Sequence, residues 1–295
     1  MLPLLLALGS GLAWGSADFV GGLMTKRLAP TTVLVVSQTA GLAFMVALVV
    51  ALGEPMPETH FLAYGLIAGL AGAVGLAALY KGLAVGRMSI VAPIAALSGA
   101  VPVAAGFLQG ERPAGLQLAG MALAGAGVLL AARASEPDVA TPGGAGPAVV
   151  ADGAVPRKGV SGVAYGLTAA LFLGLLVTFL DASGEGNPYW ASFMVRCASV
   201  PLFAIAWFLR RERGRRPTVR ELWVLAVVGL FDNGANVTFA IAASQGLLAV
   251  VSVLGSLYPV STVLLARFVL HERLAPLQTA GVASAFAGVA LIALG

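Results

Sequence analysis

The sequence predicts an all-α membrane protein in which ten transmembrane helices form two five-helix repeats of inverted topology. Three observations carry that expectation. Hydrophobic residues make up 59% of the 295 and charged residues only 10%, with a mean hydropathy of +0.95. A soluble domain carries roughly a quarter charged residues, so the solvent for this chain is lipid. Apolar stretches long enough to cross a hydrocarbon core of about 30 Å recur along the whole length, without the alternation of a membrane strand. And the closing segment of the first half returns in the second.

The first stretch, MLPLLLALGSGLAWGSADFVGGLM, has no basic leader and an apolar run longer than the roughly 7–15 residues of a signal peptide core. It is read as a membrane span over 2–25. Spans over 31–52, 61–84, 89–109 and 114–132 follow. Residues 135–159, rich in Pro, Gly and Ala, read as a flexible linker. The linker separates a repeat over 1–134 from a repeat over 160–295. Spans over 160–181, 188–209, 221–244, 248–270 and 276–294 complete the second half. Short connections make neighbouring helices antiparallel hairpins. Pro93, Pro102 and Pro259 fall inside the fourth and ninth spans, where loss of a backbone donor predicts kinks or gating bends. Gly65, Gly69, Gly72 and Gly75 lie at helical spacing, a pattern that lets helices approach closely.

ERPAGLQLAGMALAGAGVLLAA (111–132) aligns without a gap to ERLAPLQTAGVASAFAGVALIA (272–293), with 14 of 22 positions identical. LAWG (12–15) echoes LFLG (171–174) more weakly. Five spans per half is an odd number, so the second half must sit upside down relative to the first, as in many secondary transporters.

These features, with WGSADF early and GER or HER-x₄-Q-x₂-G closing each half, resemble the EamA family of the drug/metabolite transporter superfamily. The resemblance covers essentially the whole chain. It implies a monomer-sized bundle with a central cavity, alternating access and small metabolites as substrates. It does not fix the metabolite. A monomer is expected, with a dimer as the alternative.

Of the 17 Lys and Arg, 15 fall on the side of the odd-numbered loops, including Lys26, Arg27, Lys81, Arg87, Arg157, Lys158 and the run RRERGRRPTVR (210–220). Basic residues are retained on the cytoplasmic side. The expectation is a multi-pass protein of the plasma (inner) membrane with both termini outside the cytoplasm. The basic run reads as a topology determinant. No aromatic residue is interleaved with it, so nucleic-acid binding is rejected.

Charges at mid-bilayer are costly, and they persist where they face a bundle interior, a wet cavity or a partner. Asp18, Arg196 and Asp232 lie inside spans, with Gln38, Asn233, Asn236 and Tyr258 as polar company. At about 1.5 Å per residue, Asp232 lies about 15 Å from one face and Arg196 about 12 Å from the other. In a core of about 30 Å they meet near the midplane. Asp232 and Asn236 share a helix face as i and i+4, with Phe239 one turn on. Gly11, Trp14, Asp18 and Gly22 form a stripe on the first span; Tyr189, Ser192, Arg196 and Ser199 form one on the seventh. The candidate substrate-binding residues are therefore Arg196, Asp232, Asn233, Asn236, Tyr258, Gln38 and Trp14. Arg196 would hold a carboxylate bidentately, and Asp232 or Asp18 would meet an amine or carry a coupling proton. The structural alternatives are an Arg196–Asp232 bridge fixing the bundle, interhelical hydrogen bonds from the asparagines, and ordinary packing for Tyr258 and Trp14.

Three functions compete: a transporter of small polar or amphipathic metabolites, amino-acid-like ones included; a flippase of lipid head groups on the same fold; and a membrane-embedded enzyme. The last needs a His, Cys or carboxylate cluster. The chain has one cysteine, Cys197, and two histidines, His60 and His271, both outside the spans. No HExxH, GxSxG or phosphate-binding loop occurs. No catalytic residue, metal or cofactor is expected, and the partners are a small-molecule substrate and membrane lipid. Glu111–Arg112 and Glu272–Arg273 read as anchors of the hairpins, not as ligands.

Overall fold

A computed structural model describes residues 1–25, 27–85, 94–133, 160–210, 215–269 and 275–295. The linker, Pro93, Arg87 and the His271–Arg273 turn lie outside the described residues. Among those residues the chain is helical throughout: α1 (Leu2–Thr25), α2 (Pro30–Leu52), α3 (Thr59–Val85), α4 (Ala100–Leu108), α5 (Gly115–Arg133), α6 (Val160–Gly184), α7 (Pro188–Arg210), α8 (Val219–Gln245), α9 (Leu248–Gly255), α10 (Tyr258–Val269) and α11 (Pro276–Leu294). Eight segments are long and apolar enough to cross a membrane, α9 and α10 counting together as one; two shorter apolar helices span Ala96–Leu108 and Gly115–Ala131.

Long apolar sequence makes these helices, and specific residues bound them. Pro30 opens α2, and Gly53 ends it in a left-handed conformation with φ 61°. Thr218 and Glu221 form a reciprocal capping box at the start of α8, which satisfies orphan backbone donors. Large side chains such as Phe208, Trp223 and Phe268 stand 70–71% exposed. In water they would be a liability; against acyl chains they are the expected surface.

The halves pack in matched pairs. Helix α3 lies on α6 as α1 lies on α8; α3 crosses α7 as α2 crosses α8; and α2–α7, α4–α9 and α5–α11 join equivalent helices of the two halves. Helices α5 and α11 run antiparallel. A Cβ at Gly120 would meet Gly288 and Ile292, and one at Gly127 would meet Ala285 and Gly281. Without a hydrophobic drive between helices in lipid, such small-residue seams bring backbones into contact. Gly127→Leu should therefore lower the thermal stability of the purified protein by about 1–3 kcal/mol through overpacking, whereas Gly125→Leu, whose Cβ meets nothing within 4 Å, should not. The Gly65–Gly75 stripe is packed in the same way against Met194, Leu176 and Leu173.

The fourth span of each half is interrupted. A 3-10 turn over Ala96–Gly99 precedes α4 with its Pro102. In the second half α9 stops at Gly255, and α10 restarts at Tyr258 just before Pro259. LSGAVP (97–102) and LGSLYP (254–259) are the matching sequences. The proline expectation thus lands on real breaks at Pro102 and Pro259.

The repeated E-R-x₄-Q segment has a structural explanation. Gln117 Oε1 accepts from Ala114 N at 2.9 Å, and Gln278 Oε1 accepts from Ala275 N at 3.0 Å. Each glutamine caps the start of its own helix. Glu111 reaches into the other half, accepting from Leu248 N at 2.5 Å and Ala249 N at 2.8 Å, and so caps the short helix α9. Glu272 lies outside the described residues.

Candidate functional site

Between the halves lies a half-open cavity that encloses about 740 Å³ of space, open solvent included. Its walls come from corresponding helices. From the first half, α1 gives Trp14 and Asp18, α3 gives Leu76 and Leu79, and the broken span gives Ser98, Gly99 and Pro102. From the second half, α6 gives Leu173, Leu176 and Val177, α8 gives Asp232 and Phe239, and the α9–α10 break gives Ser252, Gly255, Ser256 and Tyr258.

Corresponding positions carry opposite chemistry. The LAWG–LFLG match sets Trp14 against Leu173 and Asp18 against Val177. The α1–α8 wall is acidic and aromatic; the α3–α6 wall is aliphatic. Trp14 Nε1 donates to Asn236 Oδ1 at 3.1 Å, and the Trp14 ring lies 5.5 Å from that of Phe239. Tyr258 and Ser98 line the cavity from the helix breaks of the two halves. Asp18 is exposed and lines the cavity, as does Asp232.

Behind Asp232 stands a closed polar network. Arg196 Nη2 donates to Asp232 Oδ2 at 2.8 Å, Arg196 Nε donates to Asn233 Oδ1 at 2.7 Å, and Arg196 Nη1 donates to Gln38 Oε1. Gln38 Nε2 also donates to Asp232 Oδ2 at 3.0 Å. Asn233 Nδ2 returns to Gly229 O at 2.7 Å. Arg196, Gln38 and Asn233 are 4%, 4% and 0% exposed. Gln38 and Arg196 are each the ninth residue of their helices and meet where α2 crosses α7. Residues at the same place in the second helix of each half thus touch where those helices cross.

Of the residues expected from sequence, the structure therefore sets Trp14, Asp18, Asp232 and Tyr258 on the cavity wall. Arg196, Gln38 and Asn233 lie one layer behind, and Asn236 backs Trp14. The Tyr189–Ser199 stripe does not line the cavity. Sequence reasoning missed the serines of the helix breaks and the whole aliphatic wall. The alignment of LAWG with LFLG was the signal that held Leu173. Asp181, buried on α6 at 7% exposure, was also passed over, because it sits near a helix end. His60 is exposed and pairs with Glu58 at 3.4 Å, as a surface residue would. Among the described residues no His, Cys, Asp and Glu group has metal-binding geometry.

The comparisons with known proteins agree with this architecture. The model of the EamA-like transporter family matches residues 1–133 and again residues 160–294. No curated protein matches the chain. A solved crystal structure matches with a TM-score of 0.77 at 19% identity, covering 99% of this chain and 96% of the other; at that identity the likeness concerns the fold.

Proposed function

The chain belongs to the EamA-like transporter family of the drug/metabolite transporter superfamily, and from that premise we propose that it is a secondary transporter moving small polar or amphipathic metabolites by alternating access through the cavity between its halves. The observation that carries the reading is the cavity itself, lined by the same three helices of each half and bounded by two broken spans. Broken helices around a site between repeats are what alternating access requires. We read the fold as ten spans in two inverted repeats. The antiparallel crossing of α5 on α11 supports inversion, because those two helices occupy the same place in their halves.

Asp18 and Asp232 are the candidate coupling groups; Trp14 and Tyr258 contact substrate. Arg196, Gln38, Asn233 and Asn236 position those side chains. The protein is a monomer in the plasma membrane, its basic loops cytoplasmic and both termini outside. A head-group flippase would need the cavity to open sideways to lipid along its full depth.

Counterflow in proteoliposomes tests the reading. Vesicles loaded with a mixture of small amines, amino acids and sugars should accelerate uptake of at least one labelled member, and Trp14→Ala should slow that uptake by about tenfold or more, given the 2 kcal/mol or so that a desolvated cation–ring contact is worth. Lipid scrambling without solute counterflow would establish the flippase in its place.

A further inference from the structure

We propose that the cavity selects amphipathic organic monocations: a compact ammonium head seated by Asp18 and Asp232, with an aliphatic tail on the opposite wall. This deepens the transport reading and rests on it only for the identity of the site.

The charge balance is the first support. Both acidic groups face the cavity, and no Lys or Arg lines it among the described residues. Arg196, 4% exposed, has all its donor nitrogens engaged by Asp232, Asn233 and Gln38. A carboxylate ligand would meet two carboxylates, and the arginine that might have received it is already spent. This geometry turns against the sequence expectation that Arg196 clasps a substrate carboxylate.

The second support is what the two acids leave open. Asp232 uses Oδ2 for both its partners, and its Oδ1 has no hydrogen bond among the described residues. Asp18 has neither a hydrogen bond nor an ion pair among them. Arg196 already balances the charge of Asp232, which leaves Asp18 as the acid on the cavity wall without a counter-charge among the described residues. A single positive charge seated there supplies that counter-charge in a low-dielectric site and can also reach the open Oδ1 of Asp232.

The third support is independent of the carboxylates. Ser252 is 2% exposed and lines the cavity, and its hydroxyl has no partner among the described residues. A buried hydroxyl left unpaired is costly; an ammonium N–H supplies its missing partner. Trp14 is fixed by Asn236 and Phe239, and an aromatic face attracts a cation within about 6 Å.

The tail follows from the opposite wall. Leu76, Leu79, Leu173, Leu176 and Val177 offer no polar atom beyond the backbone. A fully polar solute would lose hydration there without compensation, whereas an alkyl chain gains contact.

Binding to the purified full chain in phosphatidylcholine nanodiscs tests this, with signals from empty discs subtracted. The probes are hexylammonium, hexan-1-ol and hexanoate, which share a tail and differ in charge. Hexylammonium should bind about tenfold or more tightly than hexan-1-ol, with hexanoate weakest, as expected for a charge held by a carboxylate in a partly desolvated site. Asp18→Asn should remove that preference; an unfolding temperature within a few degrees of the unaltered protein's shows that the variant is folded. Hexanoate binding as tightly as hexylammonium, an unaltered preference in Asp18→Asn, or no binding by any probe would overturn the proposal. Counterflow of the same probes separates the two readings. Hexanoate movement without hexylammonium binding overturns cation selectivity and leaves transport standing. Hexylammonium binding without counterflow upholds the cation site and overturns transport.

Discussion

Arg196→Ala is expected to cost the folded bundle about 3–5 kcal/mol, because it leaves the partly buried Asp232 carboxylate and the buried Asn233 and Gln38 amides without their shared donor. The side chains of the pair are 5% and 24% exposed, so solvent replaces little of what is lost. Thermal unfolding in detergent reads the effect. An apolar double variant, Arg196→Met with Asp232→Leu, should recover much of that stability, since replacing both members of a buried pair is far less damaging than orphaning one. Yet the double variant should not transport, because the acid on the cavity wall has gone with the arginine behind it. This split between stability and activity separates a positioning arginine from a substrate-binding one. Were Arg196 a ligand for cargo, Arg196→Ala would spare the fold and impair only the handling of anions.

Gly229→Val should be almost as severe. A Cβ at Gly229 would fall on the Ser37 carbonyl and within 3.0 Å of Gly41 N, and one at Gly41 would fall on the Asn233 amide. Helices α2 and α8 touch backbone to backbone at this crossing. Separating them withdraws Gln38 on α2 from Asp232 on α8. Overpacking costs about 1–3 kcal/mol, and the loosened network should lower transport further. Gly234→Ala on the same helix is the control, since nothing lies within 4 Å of its Cβ. There the added methyl removes unfolded-state freedom and raises helix propensity, so stability should hold or rise.

Much of this was legible before any coordinates. Depth counting brought Arg196 and Asp232 to one level, and they sit 2.8 Å apart. The prolines marked the broken spans. The duplicated E-R-x₄-Q segment told of a repeat, though not that Gln117 and Gln278 cap their own helices or that Glu111 caps α9. What periodicity left open was facing. Asp232 and Asn236 share one side of α8, yet Asp232 meets the cavity while Asn236 is turned to Trp14, because α1 packs directly over that turn. Arg196 and Gln38 looked like cavity residues by polarity. They lie instead on the crossing of equivalent helices, a position that a single helix's pattern cannot reveal. The aliphatic wall was invisible for a simpler reason. Leucines at Leu76, Leu79, Leu173 and Leu176 are what any membrane helix carries, and only their place opposite Asp18 gives them meaning.

The central claim is a cavity between the halves that opens alternately to the two sides of the membrane. Cys197→Ser removes the only native cysteine, and single cysteines at Val177 and Ser256 then report access from opposite walls of the cavity. A membrane-impermeant maleimide is applied from either face of oriented vesicles, with and without bound ligand. The account predicts labelling of both positions from both faces, with ligand shifting the ratio between them. Labelling from one face alone under every condition, or none at all, would contradict it.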